Sequence, residues 1–255
     1  MTLPILQAVN VVKRYGKFTA VNGITLDVLP GTVHSVIGPN GAGKTTLFHI
    51  LTGTVPITNG SILLDGEEIA HLPDFKRVLK GVARSFQVTS LFLNLTVHEN
   101  LRLAAQGRQP SQAFRLWRSA ESLRVACEQA DALLVRLSLT SVASRIAGEL
   151  SHGQQRRLEV GMAMAGQPRI IFLDEPTSGM GIDDIGDMKR LIHGLRSDYA
   201  VVLIEHNMDI VMDISDTITV MQLGEVLVEG KPDDIRRDER VRRAYLGSMI
   251  TGGAA

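Results

Sequence analysis

The residues best equipped for chemistry stand in three short stretches. The first, "GPNGAGKTT" at residues 38–46, matches G-x-x-x-x-G-K-[ST] at every fixed position, between the apolar run Val33–Ile37 and a helical pattern. Glycines let a backbone curl until successive N–H groups face one anion, and the helix that follows adds its positive end. This is a cradle for a chain of phosphates, built from Gly38, Asn40, Gly41 and Gly43. Lys44 is placed to reach the β- and γ-phosphates as a point charge, Thr45 offers a hydroxyl to Mg²⁺, and Thr46 lies beside it. A dinucleotide fingerprint is excluded, because Thr46 stands where its third glycine belongs.

The second stretch, "RIIFLDEP" at residues 169–176, is an apolar run that ends in two carboxylates. Asp174 is suited to hold Mg²⁺ through water, and Glu175, facing the other way, to polarise an attacking water as general base. A solvated acidic loop is the plain alternative. The third, "ELSHGQQRRLE" at residues 149–159, opens a helix: Ser151 and Gln154 have the spacing of a capping box. The N–H groups of His152 and Gly153 then point along the positive helix end toward an anion. The other histidines, His34, His49, His71, His98 and His193, form no ligand-spaced set.

These stretches need elements to hold them. Turn signals at Pro30-Gly31, Asn59-Gly60 and Asp65-Gly66 punctuate a strand-rich first third, an antiparallel β subdomain. Leu47, Ile50 and Leu51 share a helical face behind the phosphate loop, and Gly53 stops that helix. A helix from Gly153, an apolar strand, a helix over 183–195 and the strand Ala200–Ile204 then alternate, which implies a parallel sheet covered on both faces. Residues 88–149 show no strand pattern and read as a helical insert. Thr96 and Glu99 make a capping box there, and Leu116, Leu123, Cys127, Ala130, Leu134 and Leu137 recur at helical spacing. The fold class is therefore α/β: one P-loop NTPase domain over 1–255, with a core of 1–87 and 150–255 and an insert of 88–149.

Composition narrows the class further. The 255 residues are 44% hydrophobic and 21% charged, with Lys plus Arg equal to Asp plus Glu at 27 each. A net charge of zero argues against a partner held through nucleic-acid phosphates. A single cysteine, Cys127, permits neither an internal disulfide nor a cysteine metal cluster and suits a reducing compartment. The first residues lack a signal-peptide pattern, and runs such as Ala200–Ile204 fall far short of the ~20 apolar residues that span a bilayer. The expectation is a cytosolic protein, or one peripheral on the cytosolic face of a membrane.

"LSHGQQ" decides among phosphate-loop ATPases. It resembles the signature L-S-G-G-Q of the ABC ATPases, with Leu150, Ser151, Gly153 and Gln154 in register and His152 replacing the first glycine. Tyr15, Gln87 and His206 follow the family order across nearly the whole chain. The resemblance implies that Tyr15 stacks on adenine, that Gln87 senses Mg²⁺ and the attacking water, and that His206 meets the γ-phosphate. It also implies that Ser151, Gly153 and Gln154 cap an ATP held by a second subunit, head to tail. One departure stands out: "SGMG", residues 178–181, replaces the family's S-A-L-D and puts Gly181 at the acidic position. Asp183 and Asp184 just beyond read as caps of the next helix, and His152 as a tolerated substitution.

Within the family, "GVARSFQVTSLFLNLTVHENL", "LSHGQQRRLEVGMAMA" and "VRRAYLG" look like ATP-binding subunits of bacterial importers for branched-chain amino acids, urea or related amides. That resemblance implies ATP and Mg²⁺ as cofactors and a second ATPase subunit, identical or not. It further implies two membrane permeases, an extracytoplasmic substrate-binding protein acting through them, and a peripheral place on the cytoplasmic face of the inner membrane. Residues 87–95, with Val88, Leu91, Phe92 and Leu93, are the expected docking surface, although core packing wants the same residue types. Arg115, Arg118 and Arg124 suit a solvated face better than a lipid contact. A lipopolysaccharide-export ATPase is the alternative. A soluble ABC ATPase acting on DNA or ribosomes is the rival of another class, and the lack of sustained heptads or a second ATPase unit argues against it.

Overall fold

The computed structural model describes residues 2–85, 91–107 and 120–251. The chain opens with an antiparallel pair, β1 (Leu6–Tyr15) and β2 (Phe18–Val28), and crosses to β3 (Val33–Ile37) and α1 (Lys44–Thr52). β4 (Asn59–Leu64) and the short β5 (Glu67–Glu68) return to the first sheet, and α2 (Asp74–Leu79) leads to β6 (Val82–Arg84). Then come α3 (Val97–Gln106), α4 (Ala120–Arg136) and α5 (His152–Ala165), β7 (Ile170–Asp174), α6 (Ile182–Leu195) and β8 (Ala200–Ile204). The last part is α7 (Met208–Ile214), β9 (Thr217–Gln222), β10 (Glu225–Gly230), α8 (Pro232–Arg237) and α9 (Glu239–Thr251).

Two sheets result. The order β2-β1-β4-β5 is antiparallel, and the second sheet runs β10-β9-β3-β8-β7-β6, parallel except for the hairpin β9–β10. β3, β7 and β8 are buried along their whole length, because both faces of the sheet are covered. Ile170 and Phe172 pack toward α1 and the antiparallel sheet, while Ile171 and Leu173 pack toward α3, α4, α5 and α6. Val36 and Asp174 both lie level with Ile204, so β3, β8 and β7 end together at one edge. The loops after parallel strands are where an open α/β sheet places its ligands.

Caps match the sequence where its signals are explicit. Thr96 and Glu99 form the capping box of α3, and Gly53, at φ 87°, closes α1. Arg77 reinforces that end from inside the core. Its guanidinium donates to the carbonyls of Ile50 and Leu51 at 2.8 Å and to those of Ala70 and Leu72 at 3.0 Å, and burial lowers its pKa to about 10.

The helical spacing of α4 is correct for Ala130, Leu134 and Leu137 but misleads at Leu123, which is 43% exposed. Ala126, one turn further on, is buried beside Ala105 and Ala165. Spacing identifies a face of a helix, and only the neighbours decide how far along it the cover extends. Leu116 lies outside the described residues.

His34 on β3 is buried, with Nε2 2.7 Å from the Thr219 hydroxyl, which donates on to Glu229. Burial holds its imidazole below the ordinary value of 6.5, against opposing pulls from Glu229 and Asp27. The unfolded chain therefore protonates first as pH falls. The stability this group contributes is full above about pH 6.5 and declines below it, by at most about 1.4 kcal/mol per pH unit. Denaturant titrations from about pH 7.5 to 5 should show a shallower decline in His34→Gln than in the native chain.

Candidate functional site

The phosphate loop leaves β3 through a close approach that only glycine permits. Gly38 has φ 149°, and a Cβ there would collide with the Met221 carbonyl on β9. Gly43 has φ 98°, and its Cβ would stand 2.5 Å from the Ala20 carbonyl on β2. The loop is thus wedged between the two sheets. No side chain caps α1 at Gly43, so the first N–H groups of that helix face outward. Asn40, Gly41 and Thr45 are exposed and Thr46 is half-buried. Lys44 is only 6% exposed and donates to the carbonyls of Gly38 at 2.7 Å and Pro39 at 3.1 Å. Burial lowers its pKa, with Glu175 and Asp174 acting against that. The hydroxyl of Tyr245, on α9, hydrogen-bonds the backbone of Gly38. Sequence reasoning used Tyr245 only as a marker of resemblance and missed this buttress.

Asp174 ends β7 with both carboxylate oxygens buried and, among the described residues, without a hydrogen-bond partner. Burial, and next the adjacent Glu175, push its carboxyl above the usual carboxylate range, while Arg84, His206 and Lys44 pull the other way. A buried charge left in this condition is expensive unless a cation arrives. Among the described residues no group of three or more His, Cys, Asp or Glu side chains is arranged to hold a metal by itself. The donor set suits an ion that brings further ligands of its own, as Mg²⁺ on a nucleotide does.

Strand alternation does not set the direction of Glu175. The strand has ended, and Glu175 itself adopts a left-handed backbone at φ 48°. Its N–H donates to the Ile204 carbonyl at 2.9 Å, and its own carbonyl accepts from the Ser178 N–H at 3.1 Å. Its Oε1 lies 2.6 Å from Nε2 of His206, just past the end of β8. Glu205, between that strand and His206, is a second residue missed from the sequence. Buried, it accepts from the Thr177 N–H at 3.1 Å, the Thr177 hydroxyl and the His206 N–H at 3.0 Å. It fastens the loop after Glu175 to the end of β8. The available signal was a carboxylate closing an otherwise apolar strand.

The stretch "LSHGQQ" opens α5 as its spacing predicts. The Ser151 hydroxyl accepts from the Gln154 N–H at 3.3 Å, and the Gln154 side chain accepts from the Ser151 N–H at 3.1 Å. Ser151 and His152 are exposed, and Gly153 is buried so tightly that a Cβ would collide with the Asp184 carboxylate. Asp183 and Asp184 stand in the first turn of α6, where a carboxylate suits the positive helix end, but neither caps the helix through a side-chain hydrogen bond. Gly181 is the N-cap of α6 with no side-chain bond, and Asp184 turns instead toward Gly153 and Arg157. Nor is His152 idle: its Nε2 lies 3.0 Å from the Ser178 carbonyl.

Proteins similar to this chain are numerous. A family model described as "ABC transporter" matches residues 21–178, and one described as "Branched-chain amino acid ATP-binding cassette transporter" matches residues 225–249. The chain is 46% identical over 254 residues to the high-affinity branched-chain amino acid transport ATP-binding protein BraF of Pseudomonas aeruginosa, covering 97% of this chain and 99% of that one. It is 40% identical to LivG of Escherichia coli, of the same description and coverage. The chain belongs to the ABC transporter ATPases.

Solved structures of such cassettes agree with the fold. The ADP conformation of MJ1267, an ATP-binding cassette of an ABC transporter, superposes with a TM-score of 0.84 at 30% identity, covering 96% of this chain and all of that one. A dimeric post-hydrolysis state of the cassette MJ0796 with ADP and Pi superposes at 0.74 and 25% identity, covering 89% and 98%. By its membership this cassette is an ATPase coupled to transport, of a kind that forms dimers and works with membrane components. Among the described residues no helix is long and apolar enough to cross a membrane.

The cassette brings Lys44, Asp174, Glu175 and His206 to one edge of its parallel sheet, while the hydrogen bonds of Ser151, His152 and Gln154 run to one another and to Ser178. Tyr15 ends β1 and is 50% exposed, with Lys13 Nζ 4.9 Å from the ring centroid. Gln87 and Val88 lie outside the described residues, as do Arg115 and Arg118; Arg124 pairs with Glu128 on the same helix. Leu91 is buried, whereas Phe92 and Leu93 are 52% and 46% exposed. A cavity of about 480 Å³ lies between the β6 edge, α3 and α5, lined by Leu79, Ala83, Ala104, Met162 and Ala163 among others.

Proposed function

We propose that this cassette hydrolyses ATP as half of a head-to-tail dimer and drives a membrane importer of branched-chain amino acids, urea or related amides. The observation that carries the hydrolytic reading is the pairing of Glu175 with His206 beside the two oxygens of Asp174, which have no partner among the described residues. The phosphate loop, Gly38, Asn40, Gly41, Gly43, Lys44, Thr45 and Thr46, binds the phosphates, and Tyr15 offers its ring to adenine. Thr45 and Asp174, with Gln87, would hold Mg²⁺, which when bound would supply charge that neutralises the phosphates. Glu175 takes a proton from the attacking water as general base, and His206 orients that carboxylate and the γ-phosphate. The substrate class rests on the likeness to BraF and LivG and on the C-terminal match.

Ser151, Gly153 and Gln154 are read as completing the partner's site, because the exposed start of α5 offers N–H groups to an anion that its own phosphate loop does not supply. Ser151→Ala should lower hydrolysis at the site of the partner subunit. In mixed dimers with Lys44→Ala, the loss should follow which chain carries which change; rates indifferent to that pairing would count against the sandwich. The cavity beside β6, lined in part by exposed Val78 and Leu79, is read as the docking face for the permeases, and a peripheral position on the cytoplasmic face of the membrane goes with that reading. Co-purification from membranes with a permease, and ATP-driven uptake of leucine by the reconstituted complex, test the whole reading. Recovery as a nucleic-acid complex without a permease overturns it.

A further inference from the structure

The contact between His152 and Ser178 joins two parts of the chain that serve different ATP molecules. Ser178 follows Glu175 in one tight turn, closed by its N–H on the Glu175 carbonyl at 3.1 Å. The other side of that turn is held by Thr177 on buried Glu205. The Ser178 carbonyl is acceptor-only, so Nε2 of His152 is the donor across their 3.0 Å. Gly179 makes room for the ring: at φ 74° it has no side chain, and a Cβ there would meet Nε2 at 3.1 Å. A glycine at 152, as in the L-S-G-G-Q pattern, supplies no such donor. The loop it fastens is the one that has Gly181 where the family pattern puts an acidic residue.

We infer that His152 is a positioning residue that ties the signature helix, which serves the partner's ATP, to the hydrolytic carboxylate serving the chain's own ATP. The inference rests on the head-to-tail dimer proposed above. In that arrangement every chain contributes its Glu175 turn to one site and its α5 N-terminus to the other. Seating of the signature on the partner's phosphates then bears on the turn that aims Glu175, through one side-chain hydrogen bond. The two sites communicate through the inside of each chain.

The test uses the full-length chain in a Glu175→Gln background, with ATP-dependent dimer formation followed by sedimentation, alongside steady-state hydrolysis in the Glu175 chain. ADP binding by the dilute chain monitors folding. With His152 present, hydrolysis should rise with a Hill coefficient above one. His152→Ala should bring the coefficient to about one and raise the ATP needed for half-maximal dimerisation roughly threefold to tenfold, the loss expected of one hydrogen bond. His152→Gln, which keeps a side-chain N–H, should restore both, and Gly179→Ala should mimic His152→Ala by crowding the ring. Unchanged steepness and dimerisation in His152→Ala, or failure of the glutamine to rescue, would overturn the inference while leaving the dimer intact. Absence of ATP-dependent dimers in Glu175→Gln alone would overturn the dimer reading itself.

Discussion

Glu175→Gln is expected to lower ATP turnover about 10²- to 10⁴-fold, the usual worth of a general base, while leaving ATP binding in place. The change is isosteric, and the amide oxygen can still accept from Nε2 of His206, now at 2.6 Å from the carboxylate. The backbone of residue 175 keeps its bonds to Ile204 and Ser178, so the loop has no reason to move. What is lost is the capacity to take a proton from water. ATP that binds but is not cleaved should hold two chains together, and the variant should accumulate as an ATP-dependent dimer by size-exclusion chromatography. Undiminished phosphate release would remove Glu175 from the role of base.

The second large effect points in two directions at once. Asp174→Asn should abolish nearly all Mg²⁺-dependent hydrolysis and raise the thermal midpoint of the nucleotide-free chain. Both oxygens of Asp174 are buried without a hydrogen bond among the described residues, and burial raises the carboxyl above the usual carboxylate range. Removing the charge relieves roughly 1–3 kcal/mol of uncompensated desolvation, less whatever Lys44 and Arg84 return to it. For a chain of this length that is a shift of a few degrees, at about 2–4 °C per kcal/mol. Differential scanning calorimetry without nucleotide decides the matter, and a midpoint that falls would mean that the carboxylate is held by favourable partners.

What could be read from the sequence was what local rules dictate. The phosphate loop, the boxes at Thr96 and Ser151 and the stop at Gly53 all work through residues a few positions apart, and all are where their spacing puts them. The parallel core followed from apolar runs without alternation, since both faces of β3, β7 and β8 are covered. Elements were missed where local signals are weak. β6 has three residues, too few for any period. The hairpin β9–β10 turns on Leu223 and Gly224, both at positive φ, and leucine is not a residue that announces such a turn. The short α7 and α8 and the C-terminal α9 also went unassigned. In the site, Glu205 and Tyr245 escaped because their work depends on Thr177 and Gly38, which no spacing connects to them. His152 escaped because a substitution judged by its own position shows nothing of the carbonyl 26 residues away.

The left-handed backbone of Glu175 has a consequence for anyone who evolves this protein in the laboratory. A non-glycine residue at φ 48° costs about 1–2 kcal/mol that a glycine would not. Position 175 is therefore improved for heat resistance by the residue that removes the base, as position 174 is by the residue that removes the charge. Selection for survival on heating, applied alone, drifts toward sturdy, inert chains, and only a screen that scores turnover in the same round keeps both carboxylates.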